Sequence, residues 1–137
     1  MSNKLTFINV KATMLEACQL MNDKKIRHLP VFDDKKLLVG ILSDRDALAA
    51  GAEEKLASVK DFMSWPVIRV HERTPLLSVI ETLMEKKISA VMVSNDNDEY
   101  VGIISTDDLL GHFADILRRE DELKSKPLSF YLPTTLF

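Results

Sequence analysis

One cysteine, Cys18, stands in the 137 residues, so no internal disulfide can form and a reducing compartment is the natural setting. Glycine is scarce too: there are four, and none belongs to a Gly-rich loop that would cradle phosphates. Long apolar runs are missing. Residues 37–42, counting Gly40, are among the longest and fall far short of the ~20 residues a spanning helix needs. Neither sign of charge dominates, since 18 Lys and Arg face 21 Asp and Glu for a net charge of −3. That balance leaves no basic footprint for general nucleic-acid binding. The N-terminus, Met1-Ser2-Asn3-Lys4-Leu5-Thr6, lacks the charged start and apolar run of a secretory signal. Together these absences point to a cytoplasmic protein with neither a membrane nor a nucleic acid as partner. What is present, 46% hydrophobic and 28% charged residues, is an ordinary globular composition for one compact domain.

The chain is written twice. A shift of 62 residues lays Lys24-Lys25-Ile26 on Lys86-Lys87-Ile88, Gly40-Ile41-Leu42-Ser43 on Gly102-Ile103-Ile104-Ser105, and Asp46 on Asp108. Leu15/Leu77, Val31/Val93, Asp34/Asp96, Val39/Val101 and Leu48/Leu110 agree at the same shift without a gap. Met1-Ser2 falls on Met63-Ser64, so the first copy begins where the second is preceded by residues 58–62. Either the first copy lacks this lead-in segment or the chain is a trimmed form of a longer one.

Each copy reads as strand, helix, strand, strand, helix. In the first copy these are 6–10, 13–24, 28–32, 38–43 and 44–50, with 51–58 as connector. In the second, 67–70 is a β-rich run, and Thr74-Pro75 reads as an N-cap followed by proline at the first helical position. Leu76, Leu77, Val79, Ile80, Leu83 and Met84 then share one helical face. Residues 90–94 and 100–105 read as strands around the polar turn 95–99, and 106–118 as a helix. The expected fold class is α/β (α+β), with two pseudo-symmetric β-α-β-β-α repeats packed as one module. A unit of ~50 residues is small for a core of its own. The boundaries are 1–57 for repeat one, 58–118 for repeat two and 119–137 for a C-terminal tail, where two prolines oppose a continuous helix.

This arrangement resembles the tandem CBS-domain pair, or Bateman module. The resemblance covers residues 1–118 and is carried by Ile26-Arg27-His28-Leu29-Pro30-Val31-Phe32-Asp33, Val39-Gly40-Ile41-Leu42-Ser43-Asp44-Arg45-Asp46 and Val101-Gly102-Ile103-Ile104-Ser105-Thr106-Asp107-Asp108. It implies a regulatory module that binds an adenosine-containing ligand in the cleft between its copies. AMP, ADP, ATP, NAD and S-adenosylmethionine are the candidates, and no cofactor is required. It also implies that Ser43, Asp46, Ser105 and Asp108 are the ribose- and phosphate-binding positions.

Two readings of these four residues are both physical. At a helix N-terminus the unpaired N–H groups and positive dipole end favour phosphate, and a carboxylate can take two ribose hydroxyls. The same Ser-x-x-Asp spacing is also a capping box that serves the helix alone. Arg27, His28 and Arg45 are phosphate candidates, Arg through its planar donor fork, or else ordinary surface charges. The second copy has Ser89, Ala90 and Asp107 in their places, so the copies are electrostatically unequal. Cys18 aligns with Ile80 and reads as a buried, inert thiol. Met14, Met21, Met84 and Met92 sit at core spacing. His28, His71 and His112 are too scattered for a structural metal site, and no nucleophile–base pair is present, so no catalytic residue and no metal are expected. A ligand-free dimerisation or protein-interaction module is the alternative function. The apolar helix faces and the aromatic tail favour a homodimer, and any regulatory output must pass to an effector protein that the sequence does not identify.

Overall fold

The computed structural model describes residues 5–132. The Met1-Ser2 start and the Leu136-Phe137 end of the apolar tail lie outside the described residues. Repeat one contains β1 (Ile8–Asn9), α1 (Met14–Lys24), β2 (His28–Phe32), β3 (Leu38–Ser43) and α2 (Asp44–Ala50). Repeat two contains β4 (Arg69–His71), α3 (Leu76–Lys86), β5 (Ala90–Ser94), β6 (Tyr100–Ser105) and α4 (Thr106–Arg119), with a short α5 (Asp121–Lys124) beyond. The fold is α+β, with two three-stranded sheets ordered β1-β2-β3 and β4-β5-β6. β1 runs parallel to β2 and β4 parallel to β5, while β2 and β3 form an antiparallel hairpin. Residues through Ile103 form one body, and those from Ile104 onward form a second.

The repeat reaches into the backbone. Among the described residues, the non-glycine ones with left-handed φ are Lys25 and Lys87, at 55° and 54°, and Lys36 and Asp98, at 64° and 59°. Each pair is separated by the same 62 positions. Lys25 and Lys87 end α1 and α3 in one motif. The Ile26 N–H donates to the Met21 carbonyl and the Ile88 N–H to the Leu83 carbonyl, closing the last turn over an apolar pair.

The first core gathers Ile8, Met14, Ala17, Met21, Leu29, Val31, Leu42 and Ala50 between sheet and helices. Val59, from the segment leading into repeat two, is fully buried in that same core. Its N–H donates to the Ala12 carbonyl at 2.9 Å, and the Ser58 hydroxyl donates to the Val10 carbonyl at 2.9 Å. Five residues beyond Val59, Ser64 exchanges both backbone hydrogen bonds with Ile41 on the β3 edge, at 2.9 and 3.0 Å. Gly40 is required by that crossing, because a Cβ there would collide with the Met63 side chain and lie 3.1 Å from the Ser64 carbonyl oxygen. A second cluster joins Ile41 to Ala90 and Met92 of the other sheet, flanked by Leu5, Leu38, Val67, Tyr100 and Ile103.

Three sequence expectations need correction. α3 begins at Leu76 with Pro75 in the cap position and no side-chain cap, so Thr74 lies one residue too early. Thr13, the repeat-equivalent of Pro75, is the residue that caps α1, accepting the Glu16 N–H at 3.2 Å. Met84 is 72% exposed, because α3 buries only Val79 and Leu83. Leu76 and Leu77 are exposed with it, so the apolar surface of α3 is wider than the stripe its own core uses. Cys18 is half-buried, not fully enclosed.

Candidate functional site

At the end of β3 the chain turns straight into α2. Ser43 keeps an extended backbone, which aims its side chain along the new helix and makes it the N-cap. Its Oγ accepts the Asp46 N–H at 3.1 Å, and Asp46 Oδ2 accepts the Ser43 N–H at 2.8 Å. The capping box is therefore closed. The β6-to-α4 turn repeats it, with Ser105 Oγ accepting the Asp108 N–H at 3.2 Å and Asp108 Oδ2 accepting the Ser105 N–H at 2.9 Å. In both turns the box occupies one carboxylate oxygen, Oδ2.

The two turns differ in the hydroxyl proton. Ser105 Oγ–H donates to Asp108 Oδ2 at 3.0 Å, so it is used inside the box. Ser43 makes no such bond to Asp46, so its hydroxyl can donate outward. Their surroundings differ as well. Ser105 is buried beside an exposed Asp108, whereas Ser43 and Asp46 are both half-buried. The first turn of α2 carries Asp44 and Asp46 with Arg45 between them, while that of α4 carries Asp107 and Asp108 in succession. Arg45 is exposed.

The fold brings most of the first-repeat candidates to one sheet end. His28 is the cross-strand partner of Ser43, and the Asp44 N–H donates to the Arg27 carbonyl at 2.9 Å. Arg27, His28, Ser43, Arg45 and Asp46 therefore surround a single strand-to-helix turn. Such a turn can offer a carboxylate oxygen and a hydroxyl to a ribose and basic groups to a phosphate.

A different feature escaped the sequence. Phe7 meets Phe32 edge-on at 5.2 Å, Phe32 meets Tyr100 at 6.0 Å, and the Arg69 guanidinium lies 3.5 Å from the Tyr100 hydroxyl. Phe7 and Arg69 are repeat equivalents, but the residues at the positions equivalent to Phe32 and Tyr100 are Ser94 and Leu38, so only the approach of the two sheets assembles the group. Among the described residues no three His, Cys, Asp or Glu side chains are grouped as metal ligands.

Comparison with known proteins places this architecture. The family model of the CBS domain matches residues 1–53 and 59–115, and the chain belongs to the CBS domain family, with two repeats. The CBS domain pair of protein MJ0100, determined in complex with 5′-methylthioadenosine and S-adenosyl-L-methionine, superposes with a TM-score of 0.72. It is 28% identical, and the match covers 85% of this chain and 93% of that one. The CBS-domain containing protein ATU1752 from Agrobacterium tumefaciens shares the fold with a TM-score of 0.71, at 24% identity over 80% of this chain and 84% of that one. Among curated proteins, the L-aspartate semialdehyde sulfurtransferase of Methanocaldococcus jannaschii is 32% identical over 97 residues, or 71% of this chain. Its inosine-5′-monophosphate dehydrogenase is 32% identical over 98 residues, or 72% of this chain. The chain spans only 19% of the length of each of these two enzymes.

Proposed function

We propose that this chain is a regulatory module that binds an adenosine-containing ligand at its Ser-x-x-Asp turns and passes the signal to an effector protein in the cytoplasm. The observation that carries the reading is the repeated turn itself. The box uses Oδ2 of Asp46 and of Asp108, which leaves Oδ1 of each as the oxygen for a ribose hydroxyl. Ser43, Asp46, Ser105 and Asp108 are the ribose and phosphate contacts in this reading. Arg27, His28 and Arg45 give the first-repeat turn its preference for phosphate, and Asp107 opposes phosphate at the second. The bound 5′-methylthioadenosine and S-adenosyl-L-methionine of the MJ0100 pair support an adenosyl ligand for this chain too. Repeat one extends to residue 57, repeat two from 58 to 118, and 119–137 forms a tail. Regulation works by differential affinity, the ligand favouring one arrangement of the module over another. Catalysis is no part of this reading.

A ligand-free assembly module is the second reading. It is favoured by the completeness of both capping boxes, which gives the same four residues a purely structural use. A thermal-shift panel of AMP, ADP, ATP, NAD and S-adenosylmethionine, run on protein stripped of copurified nucleotide, separates the two. At a hundred times the dissociation constant a true ligand adds about 2.7 kcal/mol of stability. A panel with no shift assigns the turns to capping alone and supports the assembly reading.

A further inference from the structure

Both repeats close the same clasp, but with different chemistry. At the end of β1, Asn9 Oδ1 accepts the Lys11 backbone N–H at 2.8 Å, and Asn9 Nδ2 donates to Asp34 Oδ1 at 3.0 Å. Lys11 Nζ pairs with the other oxygen, Oδ2. Sixty-two residues later His71 repeats both of the Asn9 bonds. Its Nδ1 accepts the Arg73 backbone N–H at 3.0 Å, and its Nε2 lies 2.8 Å from Asp96 Oδ1. Arg73 forks onto both Asp96 oxygens, as Lys11 pairs with Asp34. Each clasp ties the loop after the first strand of its repeat to the hairpin turn between the second and third. An Asn side chain keeps one acceptor end and one donor end at every pH. Imidazole presents that pair only when neutral, with its proton on Nε2.

We propose that His71 makes the second clasp a proton-operated latch, closed when the imidazole is neutral, while the Asn9 clasp stays closed across the pH range in which imidazoles change charge. A proton taken from solvent onto Nδ1 sets that N–H against the Arg73 N–H, two donors face to face, and the hydrogen bond between them is lost. The Nε2–H bond to the Asp96 carboxylate survives and becomes an ion pair. The ring therefore stays on the hairpin turn while the loop that enters α3 is released from it. The His71 side chain is 34% exposed, which gives solvent protons a route.

Charged groups of both signs surround the ring. Asp96 reaches it from the turn between β5 and β6, and Arg73 from the loop after β4. Glu99 of the same turn is occupied by the Asn95 and Asn97 amides at 3.5 Å, and Arg69 on β4 is turned to Tyr100. Two backbone bonds confine the release to a few residues. The Glu72 N–H donates to the Ser94 carbonyl at 2.8 Å, and the Thr74 N–H donates to the His71 carbonyl at 2.9 Å.

Nitrogen-15 NMR of the whole chain, titrated from about pH 8 to about pH 5.5 where imidazoles change charge and carboxylates do not, tests this. At the alkaline end the ring shifts should report the Nε2–H tautomer. The Arg73 amide should then move with the same midpoint as the ring, and its hydrogen exchange, corrected for intrinsic pH dependence, should rise several-fold relative to that of Lys11. His71→Asn installs the residue that repeat one already uses, so the clasp should persist and the pH response vanish. Asn9→His should transfer the response to the Lys11 amide. An Nδ1–H tautomer at pH 8, an Arg73 amide that ignores the ring titration, or a response that persists in His71→Asn overturns the proposal.

Discussion

Asp46 and Asp108 are each asked to do two things with two oxygens. Oδ2 accepts the N-cap N–H in both turns, so replacing either residue by Ala removes half of a capping box along with any ligand contact. Asp46→Ala should therefore lower unfolding stability by about 1 kcal/mol, the usual cost of a lost capping interaction, in urea melts made without ligand. Asp46→Asn can present its amide oxygen to the Ser43 N–H while placing a donor where Oδ1 was, so it should keep most of that stability. Equal losses in the two variants would show that charge rather than the cap is what Asp46 contributes. A second residue-scale prediction concerns Lys11 and Asp34. Hydrogen bonds from Lys11 and then Asn9, followed by the Lys11 charge, hold the Asp34 carboxyl below the ordinary carboxylate value. The Asp34 hydrogen bond and charge raise Lys11 above the ordinary lysine value. A depressed acid contributes stability above its unfolded pKa and loses it as pH falls through the folded one. A raised base contributes below its unfolded pKa and loses it as pH rises through the folded one. The pair's contribution is thus constant across neutral pH, disappears in acid below the ordinary carboxylate range and in alkali above the ordinary lysine range, and is small because both groups are exposed. Acid and alkaline stability profiles of Asp34→Asn against the parent should diverge at neutral pH and converge at both extremes.

Gly40 and the left-handed lysines that end α1 and α3 show what could and could not be read at the scale of elements. The Gly-aliphatic-aliphatic-Ser run was legible because it recurs after 62 positions, and strands β2, β3, β5 and β6 stand at the residues their patterns indicated. The reason for the glycine was hidden. It lies in the crossing of Met63 and Ser64 over the β3 edge, a contact between segments that share no local pattern. Gly40→Ala should destabilise by about 1–3 kcal/mol, as overpacking does, in denaturant melts, and an unchanged midpoint would mean the Met63 crossing is loose. The helix ends were legible only in part. Thr74-Pro75 read as a start because both residues favour one, yet the repeat register puts Pro75, not Thr74, at the cap. Lysine is not a residue that announces left-handed backbone, so the ends of α1 and α3 at Lys25 and Lys87 carried no local signal. Lys87→Gly removes that backbone penalty and should stabilise by about 1 kcal/mol, read as a raised melting temperature. A lower one would mean the lysine side chain contributes more than the backbone costs.

Taken whole, the molecule leaves apolar helix surface in water. Leu110, Phe113 and Ile116 line one side of α4, 65%, 50% and 43% exposed, and no α4 residue is buried. The tail adds Leu128, Phe130, Tyr131 and Leu132, all exposed. An exposed apolar surface of this kind is most simply covered by a second copy in a two-fold dimer. Light scattering at micromolar concentration should give about twice 15.5 kDa, and Phe113→Glu should shift the protein toward monomer. A parent that stays monomeric at high concentration would contradict this. These same apolar faces favoured a homodimer in the sequence, but periodicity could not separate that from burial in the chain's own core, because an apolar helical face looks the same whether it meets its own core or a partner.

The central claim is that a nucleoside ligand uses the second oxygen of a capping carboxylate. Titration calorimetry of the nucleotide-free parent, Asp46→Asn and Asp108→Asn, with whichever adenosyl compound shifts the melting temperature most, tests it directly. Binding should be present in the parent, as one site or as two of clearly different affinity, because the α2 and α4 turns differ in charge and in the use of the serine proton. Asn at the occupied turn should remove that site's binding while circular dichroism shows the helices intact. Undiminished affinity in both variants, or two identical and independent sites in the parent, would contradict the account.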